Sequence, residues 1–127
     1  MKQKYDFYKL DHFPARRYNK NSISERKGDS AMKWMIASDL HGSAVYCRRM
    51  IEAFEREDAD RLLLLGDLLY HGPRNDLPEG YAPKEVIPML NGMKPKLLCV
   101  RGNCDAEVDQ MVLDFPILAD YAVLPVG

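Results

Sequence analysis

Three short apolar runs punctuate the chain, and each ends abruptly in glycine, aspartate or asparagine. They are Lys33 to Ser38, Arg61 to Gly66 and Lys96 to Arg101. The second holds four consecutive leucines, Leu62 to Leu65, too short to cross a bilayer. Such runs predict strands buried on both faces of a covered parallel sheet. Between the first two, Cys47, Met50, Ile51 and Phe54 fall at i, i+3, i+4 and i+7, the stripe of an amphipathic helix over Ser43 to Glu57. Arg48, Arg49, Glu52 and Glu55 take its wet side. A loop rich in Pro, Gly and Asn follows, Leu68 to Ala82, of a length that in compact domains tends to be functional. Pro83 opens a helix to about Asn91, which Pro88 is expected to interrupt or kink. A short helix over Asp105 to Leu113 and a further strand over Ala119 to Leu124 complete the pattern. The order β-α-β-α-β-α-β predicts an α/β fold of parallel strands joined by right-handed crossovers.

Composition narrows the class without deciding it. The chain has 127 residues, 46% hydrophobic and 29% charged, enough for one small domain. Its net charge of −1 hides an asymmetry. Residues 1–31 carry eight Lys/Arg against four Asp/Glu, and the remainder ten against fifteen. The basic charges are scattered rather than blocked, so no nucleic-acid partner is expected. Residues 1–31 lack sustained periodicity and read as a weakly ordered extension, with His12 a surface residue. Met32, immediately before the first strand, is expected to be the natural start, and 32–127 the domain. Cys47, Cys99 and Cys104 are odd in number and lack CxxC spacing, which argues against a disulfide framework or zinc knuckle. Cys47 and Cys99 read as core. No signal-peptide core or membrane span is apparent, so a cytoplasmic location with no membrane partner is expected.

The chemistry lies where the strands end. Ser38-Asp39-Leu40-His41-Gly42, Gly66-Asp67 and Arg101-Gly102-Asn103-Cys104-Asp105 would all emerge at the carboxyl edge of the sheet, where open α/β sheets place ligands. A dinuclear phosphate-cleaving site needs oxygen and imidazole donors and a carboxylate bridging two ions ~3.5–4 Å apart. Asp39 and His41, two apart on an extended segment, would point the same way and bind one ion. Asp67 is the natural bridge, and Asn103 offers a neutral oxygen to the second ion. Carboxylate, amide and imidazole suit Mn²⁺, Fe or Zn²⁺ better than a thiolate-preferring metal.

Asp39-x-His41, Gly66-Asp67 and Gly102-Asn103-Cys104-Asp105 resemble the first three blocks of the calcineurin-like metallophosphoesterases. The loop from Gly66 to Pro83 and the stretch Arg101 to Gln110 resemble a bacterial phosphodiesterase subgroup of that family, and the likeness covers roughly Met32 to Pro116. The resemblance implies the parallel-sheet half of an α/β/β/α sandwich. It implies a hydrolase of small phosphodiesters using two divalent ions, Mn²⁺ first, with Fe, Zn²⁺ or Ni²⁺ as alternatives. Asp39, His41 and Asp67 would bind one ion, and Asp67 with Asn103 the other, with a metal-bridging hydroxide attacking phosphorus. Many relatives carry His, a general acid or phosphate contact, where this chain has Cys104. A thiol donates a proton to an alkoxide less well, which fits activated leaving groups. Asp105 would either orient Cys104 or N-cap the next helix. His71 and Arg74 would contact substrate phosphate or merely fix their loop.

Family members continue into a second half that supplies further histidines, including a Gly-His-x-His block. This sequence has no histidine after His71. It therefore reads as an N-terminal fragment, with weak metal binding, little turnover and a bare apolar face that favours a homo-oligomer. The competing reading is an inert or scaffold module on the same fold. A Cys104 nucleophile would want an arginine where Gln110 stands. A dinucleotide-binding domain would want GxGxxG after a strand, which is absent.

Overall fold

The computed structural model describes residues 32–124. The expectations for residues 1–31, His12 included, lie outside them. Strand β1 is Trp34–Ala37, helix α1 Ala44–Arg56, strand β2 Arg61–Leu64 and helix α2 Pro83–Gly92. A single 3₁₀ turn, Lys94–Lys96, leads into β3, Leu97–Cys99, and a one-turn helix α3 covers Glu107–Gln110. The strands form one parallel sheet in the order β1-β2-β3. The α/β class, the parallel pairing and the first three strands follow the hydrophobic pattern.

Register is what positions the site. Ala37 pairs with Leu64, and Leu64 with Cys99, so the three strands stop in line. Pairing then continues between the loops they feed: Leu65 N donates to Ala37 O at 2.9 Å and Asp39 N to Gly66 O at 3.1 Å. His41 N donates to Asp67 O at 2.9 Å and Val100 N to Leu64 O at 3.0 Å.

Successive strand residues face opposite ways. Met35, Ala37, Leu62, Leu64 and Cys99 face the helices and form the core with Cys47, Met50 and Phe54 of α1 and Val86 and Leu90 of α2. Ile51 of the expected stripe is only half-buried. The other sheet face carries Ile36, Leu63, Leu65, Leu98 and Val100. Leu65 and Leu98 are 39% and 37% exposed, and none of the five belongs to the core cluster. Within the four-leucine run Leu62 and Leu64 are buried under the helices, Leu63 is buried at the middle of the central strand, and Leu65, past the strand end on the uncovered face, is exposed.

Helix α1 starts at Ser43, whose hydroxyl accepts from Tyr46 N at 3.1 Å. Helix α2 runs through Pro88 without a break. The missing N–H forfeits one bond, to the Lys84 carbonyl, and the ring lies on the exposed side. Helix α3 is shorter than expected and begins after Ala106, whose N–H donates to Asp109 at 2.9 Å. Asp105 therefore does not cap this helix: Ala106 stands at the N-cap without a side-chain cap bond, and Asp109 in the first turn reaches back to its N–H. The strand expected over Ala119 to Leu124 does not form. Ala119 O accepts from Arg101 N at 2.8 Å, but no strand follows, and Tyr121 and Val123 stand out in solvent.

Candidate metal centre

The expectation that Asp39 and His41 share a side because their segment is extended is overturned. Both have left-handed backbone, with φ 62° and 47°, and Asp67 follows suit at 57°. Non-glycine residues rarely adopt this region, and where they do so at a site the fold is holding them there. The tight turn nevertheless brings the side chains together. His41 Nε2 lies 3.3 Å from Asp39 Oδ1 and 3.9 Å from Asp67 Oδ2.

The His41 ring is set by the long loop. Its Nδ1 lies 2.8 Å from the Tyr70 carbonyl oxygen, which can only accept, so the proton is on Nδ1. Nε2 is left facing two carboxylates. A ligating histidine is commonly held in this way, with the remote nitrogen donating to a carbonyl. An imidazole nitrogen gathered with two carboxylates is a donor set of the kind that holds a divalent cation.

Asp67 is buried, and its two oxygens divide their duties. Oδ1 accepts from Cys104 N at 2.7 Å, while Oδ2 faces His41. Burial pushes its carboxyl above the ordinary range. The Cys104 amide opposes that rise, Asp105 adds to it, His41 opposes it and Asp39 adds to it. A buried carboxylate whose charge is resisted by its surroundings is a cost that a bound cation offsets.

Asp105 neither caps a helix nor reaches the open site. Its Oδ2 accepts from Asp67 N at 2.7 Å and Gly102 N at 2.8 Å, and its Oδ1 from Leu68 N at 3.0 Å. It staples the turn after β2 to the turn after β3. Glycines make the approach geometrically feasible. A Cβ on Gly66 would sit 2.0 Å from Gly102 N, and one on Gly102 would sit 2.2 Å from Asp67 Oδ1.

Cys104 Sγ, a His41 ring nitrogen and an Asp67 oxygen lie within 4.8 Å of one another. Burial and the charges of Asp67, Asp105 and Asp39 push the Cys104 thiol up, and Arg74 partly offsets them. Arg74 is exposed but close enough for its charge to act on the site. Asn103 is exposed, and its amide nitrogen lies 3.5 Å from Cys104 Sγ. His71 packs edge-on to Tyr70 and Tyr81, with ring centroids 4.8 and 5.4 Å away, and its buried Nδ1 has no hydrogen-bond partner. Gln110, whose position bore on the nucleophile reading, clamps the following segment. Its amide donates to Leu113 O and Phe115 O, and its oxygen accepts from Ile117 N.

Two contributors escaped the sequence reading. The Tyr70 carbonyl is a backbone group, which no side-chain motif can announce. Ser38 donates its hydroxyl to Asp39, and its only signal was its place before the Asp-x-His pair.

The ends of the parallel strands thus gather Asp39, His41, Asp67 and Cys104 into one cluster of possible cation donors. Residues 32–125 match the calcineurin-like phosphoesterase family, and the chain belongs to it. Within that family the chain is similar to the phosphodiesterase YfcE of Escherichia coli K12. The two are 56% identical over 90 residues, which cover 71% of this chain and 49% of the relative. The same values hold for YfcE of the O6:H1 and O157:H7 strains. The solved structure of E. coli YfcE, described as a phosphoesterase, superposes with a TM-score of 0.74 at 52% identity, over 76% of this chain and 53% of that one. The chain spans about half the length of the curated relatives it matches.

Proposed function

We propose that this chain supplies the metal-binding half of a phosphodiesterase centre that hydrolyses small phosphodiesters with two divalent cations. The observation that carries the reading is the His41 ring, whose Nδ1 is tied to Tyr70 O so that Nε2 faces the Asp39 and Asp67 carboxylates. The names of the similar E. coli proteins support the diesterase assignment. Asp39, His41 and Asp67 would hold one cation, and Asp67 with Asn103 the second, Mn²⁺ being the first choice for such donors. When bound, divalent cations supply Lewis acidity toward phosphoryl oxygen and a water of lowered pKa.

The chain's own groups prepare that chemistry. Asp105 acts as a positioning residue: it fixes the backbone on both sides of Asp67. The Tyr70 carbonyl selects the His41 tautomer. Arg74, exposed and near enough for its charge to act on the thiol, would meet a phosphate oxygen, as would His71 on the same loop. Cys104 stands at the rim as a weak proton donor, which suits diesters with good leaving groups. We further propose a cytoplasmic location. No helix among the described residues is long and apolar enough to cross a membrane.

The test pairs metal analysis with hydrolysis of a chromogenic diester in Mn²⁺. Bound metal and turnover, both abolished by Asp67→Ala, bear out the enzyme. A folded, metal-free and inactive chain supports a non-catalytic module instead, a reading favoured by the single imidazole that this cluster contains.

A further inference from the structure

We propose that Tyr70 is a specificity-determining residue of this centre, its ring serving as a platform for a flat aromatic group on one ester arm of the phosphodiester. The inference rests on the diesterase reading above and deepens it by naming a substrate class, diesters that carry an aromatic ester group. The strand-end motifs do not announce it, because Tyr70 lies three residues past Asp67 on the long loop.

Three observations carry it. First, the loop borders the donor cluster. The Tyr70 carbonyl lies 2.8 Å from His41 Nδ1, and two residues on a Cβ at Gly72 would sit 3.5 Å from Cys104 Sγ. Residues 70–72 therefore run from the imidazole to the thiol, both members of the cluster. An ester arm that leaves the cluster over this stretch meets the side chains of Tyr70 and His71, since Gly72 has none. Second, Tyr70 is the open ring of the two. It is 42% exposed, whereas His71 is half-buried, in edge contact with both Tyr70 and Tyr81. Third, the Tyr70 ring is held in place. Its centroid lies 4.8 Å from that of His71 with 64° between the planes, and His71 meets Tyr81 at 5.4 Å and 81°. The Tyr81 ring in turn lies against Gly42, where a Cβ would come within 2.5 Å of Cε2. The series of rings is thus anchored beside His41 at both ends.

A ring fixed before the substrate arrives loses little rotamer freedom when the substrate lands on it. Aromatic pairs gain about two- to tenfold in affinity beyond the area they bury, through the attraction of a positive ring edge or an offset face to a negative face. A saturated ring of the same size buries similar area without that gain, and a methyl group has neither. Arg74, exposed on the same loop, adds a cation, so the loop offers both partners that an anionic diester with a flat apolar arm requires.

Ligand-observed NMR on the full chain loaded with diamagnetic Zn²⁺ tests this with methyl phenyl phosphate, methyl cyclohexyl phosphate and dimethyl phosphate. The phenyl diester is expected to bind about threefold or more tightly than the cyclohexyl diester, and dimethyl phosphate most weakly. Tyr70→Ala keeps the backbone carbonyl that sets His41, so it should retain its far-ultraviolet circular dichroism and its Zn²⁺ affinity. It should nevertheless bind the phenyl and cyclohexyl diesters alike, whereas Tyr70→Phe should keep the preference. A second readout needs no variant: nuclear Overhauser contacts should join the phenyl protons to the Tyr70 ring. Phenyl and cyclohexyl diesters bound equally by the wild-type chain overturn the platform and leave the diesterase reading standing. A preference that survives Tyr70→Ala, or Overhauser contacts to another part of the chain instead, overturns it likewise. If Zn²⁺ or all three diesters fail to bind, the diesterase reading falls and this inference with it.

Discussion

The carboxylate of Asp105 accepts the backbone N–H of Asp67 at 2.7 Å across 38 residues of sequence. With two further amides on the same carboxylate, it ties the turns after β2 and β3 into one rigid unit. Asp67, the candidate metal ligand, is thereby held in a left-handed conformation that non-glycine residues rarely adopt.

Asp105→Ala would leave the amides of Asp67, Leu68 and Gly102 without their acceptor. Burying unsatisfied donors costs about 1–3 kcal/mol each before relaxation and water entry. The expected loss is about 2–5 kcal/mol in urea denaturation, with metal affinity falling as Asp67 loses its orientation. A loss under about 0.5 kcal/mol, the size of an ordinary surface substitution, would show that the staple is dispensable.

Asp67→Asn should stabilise the metal-free chain at neutral pH while abolishing its gain from metal. The folded-state carboxyl of Asp67 is raised above its unfolded value, chiefly by burial. Its stabilising contribution is therefore fully present below the unfolded pKa and is lost as pH rises through the folded one. Asparagine carries no charge to desolvate and still accepts from Cys104 N. In EDTA the melting-temperature advantage of the variant should grow from acid to neutral pH. With Mn²⁺ added the ranking should reverse. An advantage that does not change with pH would contradict this account.

Gly102→Ala should damage the site more than the fold around it. The added methyl would meet Asp67 Oδ1 at 2.2 Å and Asp67 N at 2.6 Å. No rotamer relieves a Cβ clash, so the carboxylate must move. Calorimetric titration should show metal binding reduced about 10-fold or more, and wild-type affinity would exclude the close approach.

The three thiols should react in two classes. Burial pushes Cys47 and Cys99 up to about 12, so both lack thiolate and access. Cys104 is partly exposed. In native, metal-free protein iodoacetamide should modify Cys104 alone, and slowly, because the neighbouring carboxylates disfavour its thiolate. Urea should release the other two. Rapid native labelling of Cys99 would mean that β3 opens.

Leu65 and Leu98 place apolar surface on the uncovered sheet face. The chain is expected to self-associate as its concentration rises, and Leu98→Lys should weaken that tendency in light scattering. A monomer at all concentrations would show that the face is satisfied otherwise.

Much of the fold was legible because its signals are local. Short apolar runs, a 3.6-residue stripe and glycine-terminated strands imply parallel β-α units whatever surrounds them. The candidate donors Asp39, His41, Asp67 and Asn103 could be named for the same reason, since each follows a strand. Pro88 misled because an exposed helix face tolerates one lost hydrogen bond. The last strand misled because its contact with the β3 side stops at Ala119, whose carbonyl accepts from Arg101 N, and Tyr121 and Val123 stay in solvent.

What only the tertiary structure decided was how the donors meet. The sequence placed aspartate, histidine and cysteine at three strand ends, but spacing along a chain cannot report a backbone forced into left-handed turns. Nor can it report a carbonyl that selects a tautomer, or a carboxylate spent on three amides from distant loops. Those relationships depend on register between strands and on contacts that span the fold. The chain therefore announced which residues could bind metal, while packing determined that Asp105 positions the turn that carries Asp67.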